Sequence, residues 1–186
     1  MRHRLDRRLI VKGGLCAGLA LTIGPAAAQD DPAALRPKAG DLLVRSDDAT
    51  LKPLGADDLQ VGGTQIMAWA MEPSEKVVRR GSRLNRIMLL RLDEGRLVGE
   101  TKARAASGVV AYSAVCPHTG CDVTDWVPEE MAVLCPCHFS KFDPKDAATV
   151  LDGPAPRPLP SLPLRIADGL LIVAGSFSAR VTFDPA

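Results

Sequence analysis

The chain has 186 residues, 46% of them hydrophobic and 4% aromatic, with 23 basic residues against 22 acidic ones. That length holds one modest domain plus appendages. The near-zero net charge and the scarcity of aromatics give no case for nucleic acid, which needs a basic face or a stacking platform, and leave a protein partner or a small redox mediator.

Residues 1–28 read as an export signal. Arg2, Arg4, Arg7 and Arg8 precede an uncharged run from Gly13 to Ala28 that ends in three alanines. The run Asp6-Arg7-Arg8-Leu9-Ile10-Val11-Lys12 looks like a twin-arginine signal, which implies export to the periplasm. The apolar run is Gly/Ala-rich, contains Pro25 and falls short of the ~20 residues a spanning helix needs, so cleavage is favoured over retention as an anchor. His3 and Cys16 lie in this segment and have no site role. Residues 29–40, with Pro32, Pro37 and acids, read as a linker without periodicity.

From Asp41 onward the pattern is short strands between turn residues. Leu42–Val44, Thr64–Ala70, Ile87–Leu92 and Val109–Ser113 have strand length and apolar or alternating character. Leu162–Ile166 and Leu170–Ala174 flank Ala167-Asp168-Gly169, a hairpin signal. Glu100–Ser107 suits a short helix or an exposed loop equally. The pattern predicts an all-β, antiparallel architecture over residues 41–186 with few helices. Glu72–Arg86 carries Lys76, Arg79, Arg80, Arg83 and Arg86 against two acids, and reads as a solvated loop or, more sharply, a docking face for an acidic partner. Trp69, Trp126 and Tyr112 read as packing residues, and Asp122, Asp125 and Asp143 as turn and cap residues.

Cys116-Pro117-His118-Thr119-Gly120-Cys121 and Cys135-Pro136-Cys137-His138 hold four of the five cysteines and two of the three histidines. Soft and borderline donors in two tight loops point to a metal. Structural zinc takes four ligands, whereas these loops offer six, and Cys-x-His is not the usual zinc spacing. A mixed 2Fe-2S cluster, with two cysteines on one iron and two histidines on the other, uses the set better.

The pattern resembles the Rieske iron-sulfur family, in the branch whose two cluster loops are tied by a disulfide. The resemblance implies one [2Fe-2S] cluster, with Cys116 and Cys135 on one iron and His118 and His138 on the other, and a Cys121–Cys137 disulfide. It implies a β-sandwich or barrel base with an inserted cluster-binding subdomain at about residues 114–158. Ser140 stands where the family has a hydroxyl donor to a cluster sulfur, and Gly153-Pro154-Ala155-Pro156 resembles its proline loop. Two departures concern quinol-oxidising members. Phe139 replaces a usual glycine, and Phe142 a tyrosine that donates to a ligand sulfur.

The sequence around the two loops, Val110-Ala111-Tyr112-Ser113 ahead of Cys116 and the run Cys-Pro-Cys-His-Phe-Ser from Cys135, most resembles the small subunit of periplasmic arsenite oxidase. That resemblance implies an electron-transfer subunit rather than a catalyst alone. Its partners would be a larger, molybdenum-containing subunit and a cytochrome c or small copper protein, with a membrane involved only if the signal is retained. The Rieske subunit of a ubiquinol-cytochrome c reductase is the alternative. An oxygenase is excluded, because its mononuclear iron needs two further histidines and the one remaining is His3.

Overall fold

The computed structural model describes residues 31–184; the predicted signal lies outside them. The pairings between its strands are all antiparallel. Seven strands form the larger sheet: β1 (Leu42–Arg45), β2 (Ile66–Glu72), β3 (Val77–Val78), β4 (Ile87–Arg91), β5 (Val109–Ser113), β10 (Leu164–Ala167) and β11 (Leu170–Val173). Their order is β10-β11-β1-β2-β4-β5, with β3 paired to β2. The sheet curls until its ends meet. The Ser113 N–H donates to the Pro160 carbonyl and the Leu162 N–H to that of Ala111, both at 2.8 Å, so the segment leading into β10 lies along β5. The β10–β11 turn forms as predicted. Asp168 and Gly169 both have positive φ, 50° and 78°, the backbone of a tight hairpin turn.

A second sheet of four short strands, β6 (Asp125–Val127), β7 (Ala132–Leu134), β8 (Lys141–Asp143) and β9 (Thr149–Asp152), is inserted between β5 and β10. This is the all-β fold expected, with its inserted subdomain. The two bodies share β4 and β5. Ile87, Leu89, Val109 and Ala111 face the core of the curled sheet. The alternate residues Met88, Leu90, Val110 and Tyr112 pack with Val123, Val133 and Phe142 of the inserted subdomain. Two buried faces explain why these strands read as continuous apolar runs rather than as alternating ones.

The ambiguous segment forms helix α1 (Gly99–Arg104), with Arg104 paired to Glu100 at 2.7 Å across one turn. It stops where Ser107 and Gly108 take positive φ to turn the chain into β5. Residues 31–40 form no strand or helix, yet they are docked. Arg36 donates to the Leu84 carbonyl (2.9 Å), Asn85 donates to that of Leu35 (2.7 Å), and Pro37 is buried. Among the described residues no helix is long and apolar enough to cross a membrane.

The basic stretch 72–86 is a solvated face only in part. Lys76 and Arg80 are exposed. Arg79 is fully buried in a two-pronged ion pair with Asp41, at 2.5 and 2.9 Å. The hydrogen bond to Asp41 raises the guanidinium pKa. Arg79 is thus a structural residue and no part of a docking face.

Candidate metal centre

The loop between β5 and β6 and the loop between β7 and β8 face each other. Each is a tight turn closed by its own backbone: the Gly120 N–H donates to the Cys116 carbonyl and the Phe139 N–H to that of Cys135, both at 3.0 Å. Each turn needs a left-handed residue near its end. In the first this is Gly120, at φ 83°; in the second it is Phe139, at φ 61°. That is the physical reason a glycine is the easier residue where Phe139 stands. The Phe139 side chain, 68% exposed, projects from the tip.

Cys121 and Cys137 are joined in a disulfide, as the resemblance implied, and tie the two loops together. Cys116 and Cys135 remain as buried free thiols. The rings of His118 and His138 meet edge to face with centroids 4.6 Å apart. His138 is exposed and His118 half-buried, so only one imidazole is fully at the tip. The two thiols are close enough to share a hydrogen bond. That bond, and then burial, push Cys116 far up, whereas the bond brings Cys135 down to about 6 against the effect of burial. The first thiolate of the pair is therefore easy to form and the second hard, a penalty that a bound cation reverses.

Donors to the sulfurs are already in place. The backbone N–H groups of Cys137 and His138 favour the Cys135 thiolate, and that of His118 the Cys116 thiolate. Ser140, fully buried, accepts from the Ala155 N–H at 3.1 Å through its hydroxyl oxygen, and its hydroxyl favours the Cys116 thiolate. Gly153 lies so close to Ser140 that a Cβ there would sit 2.5 Å from the Ser140 Cα. The proline loop is thereby held over the second loop. Phe142 is fully buried on β8, where it pairs with Val133 and Val150, and it packs without donating.

With the disulfide formed, four donors remain, the number that a tetrahedral zinc also takes. Count alone does not decide the group. A model of the Rieske [2Fe-2S] domain matches residues 58–163. The chain belongs to the Rieske [2Fe-2S] family. Rieske domains bind a [2Fe-2S] cluster, and the donor set here fits one. Two buried thiols stand opposite two imidazoles, and Nδ1 of His118 is buried without a hydrogen-bond partner, as a nitrogen kept for a metal would be. The Cys135 sulfur lies within 4.8 Å of both disulfide sulfurs, which have no thiolate to offer a metal and serve instead as a wall.

Among Rieske relatives, a putative respiratory nitrate reductase Rieske subunit of Haloferax mediterranei is 47% identical over 76 residues, covering 40% of this chain and 34% of that protein. The cytochrome bc1 complex Rieske subunit of Streptomyces lividans is 33% identical over 145 residues, 76% of this chain and 84% of its own. That of Streptomyces coelicolor matches equally well over only 40% of its length. The chain thus spans well under two thirds of two of these relatives. The soluble domain of Rieske protein II from Sulfolobus acidocaldarius is 25% identical, with a TM-score of 0.39 over 52% of this chain and 68% of that one.

Three features of this site carry no local sequence signal. Asp122, read as a turn residue, binds Arg86 at 2.6 Å and Arg83 at 3.6 Å, which fastens the first loop to the barrel. Gln65, beside β2, donates to the Thr124 carbonyl just beyond it. The buried Tyr112 hydroxyl donates to the Pro144 carbonyl at 3.0 Å and joins the two bodies; burial raises its pKa to about 12. Trp69 and Trp126 pack half-buried, as expected.

Proposed function

We propose that this Rieske electron-transfer protein is the small subunit of a periplasmic oxidoreductase of arsenite oxidase type. It would relay electrons from a larger, molybdenum-containing catalytic subunit to a c-type cytochrome or small copper protein. Cys116 and Cys135 would hold one iron and His118 and His138 the other, with Ser140 as a hydroxyl donor beside the Cys116 sulfur. The cluster accepts and releases one electron at a time; the chain supplies ligands, sulfur donors and a wall against water. With Nδ1 of His118 turned inward, Nε2 is the atom left to exchange a proton with solvent, and the ring of His138 is open to it. Export through the twin-arginine route suits a protein whose metal group is inserted before it leaves the cytoplasm, and an oxidising periplasm suits the disulfide.

The observation that favours this reading is Phe142. It is fully buried beneath the second loop and places no hydroxyl where quinol-oxidising members use one. The relative named a putative respiratory nitrate reductase Rieske subunit supports a Rieske subunit that serves an oxidoreductase other than the cytochrome bc1 complex. The second reading, a Rieske subunit of ubiquinol-cytochrome c reductase, is favoured by the longer match to the Streptomyces lividans protein and by Gly153-Pro154-Ala155-Pro156.

Purification from the native cells with a tag beyond Ala186, scoring periplasm and membrane separately, tests the choice. A large molybdenum-containing partner in the periplasmic fraction is the expected result. A cytochrome b partner in the membrane would establish the second reading instead.

A further inference from the structure

The segment after β11 forms no strand of either sheet, and its described end lies on the metal centre. The Ser178 N–H donates to the Ser161 carbonyl at 2.8 Å, which carries the chain back across the sheet. Val181 is buried. The Asp184 N–H then reaches the carbonyls of Pro117 (3.2 Å) and His118 (3.0 Å), inside the first loop. The Phe183 ring lies flat on Gly120: a Cβ at Gly120 would meet it at 2.8 Å. Above the ring, at 5.8 Å from its centroid, sits the guanidinium of Arg83, which also donates to the Gly120 carbonyl. Arg157, directly after the proline loop, donates to the Thr182 hydroxyl at 2.8 Å and to its carbonyl at 3.1 Å, and pairs with Asp184 at 3.3 Å.

We propose that Val181–Asp184 is a clamp on the Cys116–Cys121 loop, and that Phe183 and Arg83 are positioning residues for His118. The disulfide fixes only the far end of this loop, at Cys121. The peptide carbonyls on either side of the His118 α-carbon, those of Pro117 and His118 itself, are held by the Asp184 amide. Among the described residues no other backbone N–H takes these two acceptors. The Phe183 ring and Arg83 press the same loop from the Gly120 side, and Arg157 links the clamp to the loop that covers Ser140. Opening of the clamp would free His118 to leave the metal while the disulfide stayed closed.

This inference rests on the ligand assignment above, and the test separates the two. Full-length holoprotein carrying Phe183→Ala is challenged with an iron chelator, and bleaching of the cluster absorbance is followed. Loss is expected about tenfold faster than in the wild type, the effect of one or two net hydrogen-bond equivalents at the loop. Phe183→Tyr, which keeps the ring over Gly120 and under Arg83, is expected to restore the wild-type rate. An unchanged rate in Phe183→Ala overturns the clamp, and so does a faster rate that Phe183→Tyr leaves uncorrected, because the ring would then not be what positions the loop. A His118→Ala variant that retained the Rieske absorption spectrum would overturn the ligand assignment instead.

Discussion

Ser140 lies just before β8, the strand that leaves the second loop, and Phe142 on it, two residues further on; together they decide which hydroxyls the sulfurs meet. Ser140 carries a hydroxyl that favours the Cys116 thiolate, and Phe142 has none. Each donor stabilises the electron-rich reduced form. The potential is therefore expected below the top of the Rieske range of roughly −150 to +300 mV. A redox titration placing it at the top would contradict this. Ser140→Ala removes the remaining hydroxyl and should lower the potential by on the order of 60 mV, the one-electron equivalent of a tenfold change. Phe139 presents the opposite case. Its φ of 61° costs an L-residue on the order of 1–2 kcal/mol, with no buried contact in return for a side chain so exposed. Phe139→Gly is expected to stabilise the protein by about 1 kcal/mol in urea unfolding; a loss of stability would mean that the ring packs against something the left-handed turn alone does not explain. The cluster-binding character of the two loops was legible because its chemistry is local: thiols and imidazoles gathered in two short motifs, two of the thiols joined to each other, point to a metal group. The strain at Phe139 was not, since a backbone dihedral has no sequence signal once glycine is gone.

At the level of elements, legibility followed burial. Strands β1, β2, β4, β5, β10 and β11 were found from their apolar runs, and β5 to the residue, because those of the sheet interior are buried on one or both faces. Strands β6–β9 are three or four residues long, three of them mixing charged and apolar positions, and are defined by the loops they hold apart; no periodicity can accumulate over such lengths. The basic stretch shows the complementary failure. A run of arginines reveals nothing of an Asp41 that lies 38 residues away in sequence and turns one of them inward. Arg79 and Asp41, both at most 2% exposed, also hold the Lys38 N–H and the Pro32 carbonyl, and so fix the segment before β1. Asp41→Asn is expected to cost about 3–5 kcal/mol, because it leaves a guanidinium buried without its charge partner. Chemical denaturation measures this directly, and a change under about 1 kcal/mol would mean that solvent reaches the pair. Charge reversal intended to probe a docking face belongs at Arg80, which is exposed, and not at its neighbour.

The molecule as a whole is two β bodies on one pair of strands, and their cores differ in what completes them. The core of the curled sheet is aliphatic throughout: Leu43, Ile87, Leu89, Leu162, Leu171 and Val173 close it without any ligand. The other core contains Cys116 and Cys135 themselves, beside Val123, Val133, Ala148 and Phe142. Two buried thiols that resist joint ionisation are a poor substitute for a bound cationic group, so the inserted subdomain is expected to draw part of its stability from the cluster. A group held in the folded state stabilises it by about 2.7 kcal/mol at a hundredfold excess over Kd. Removal of the cluster with the disulfide intact should therefore act unevenly. Amide exchange in β6–β9 is expected to accelerate on the order of a hundredfold, while β1, β2 and β11 keep their protection. The shared strands decide how sharp the boundary is, since Tyr112 on β5 is hydrogen-bonded to Pro144 across it. If all strands lost protection together, the two bodies would be one cooperative unit, and the barrel would owe its stability to the metal centre rather than carry it.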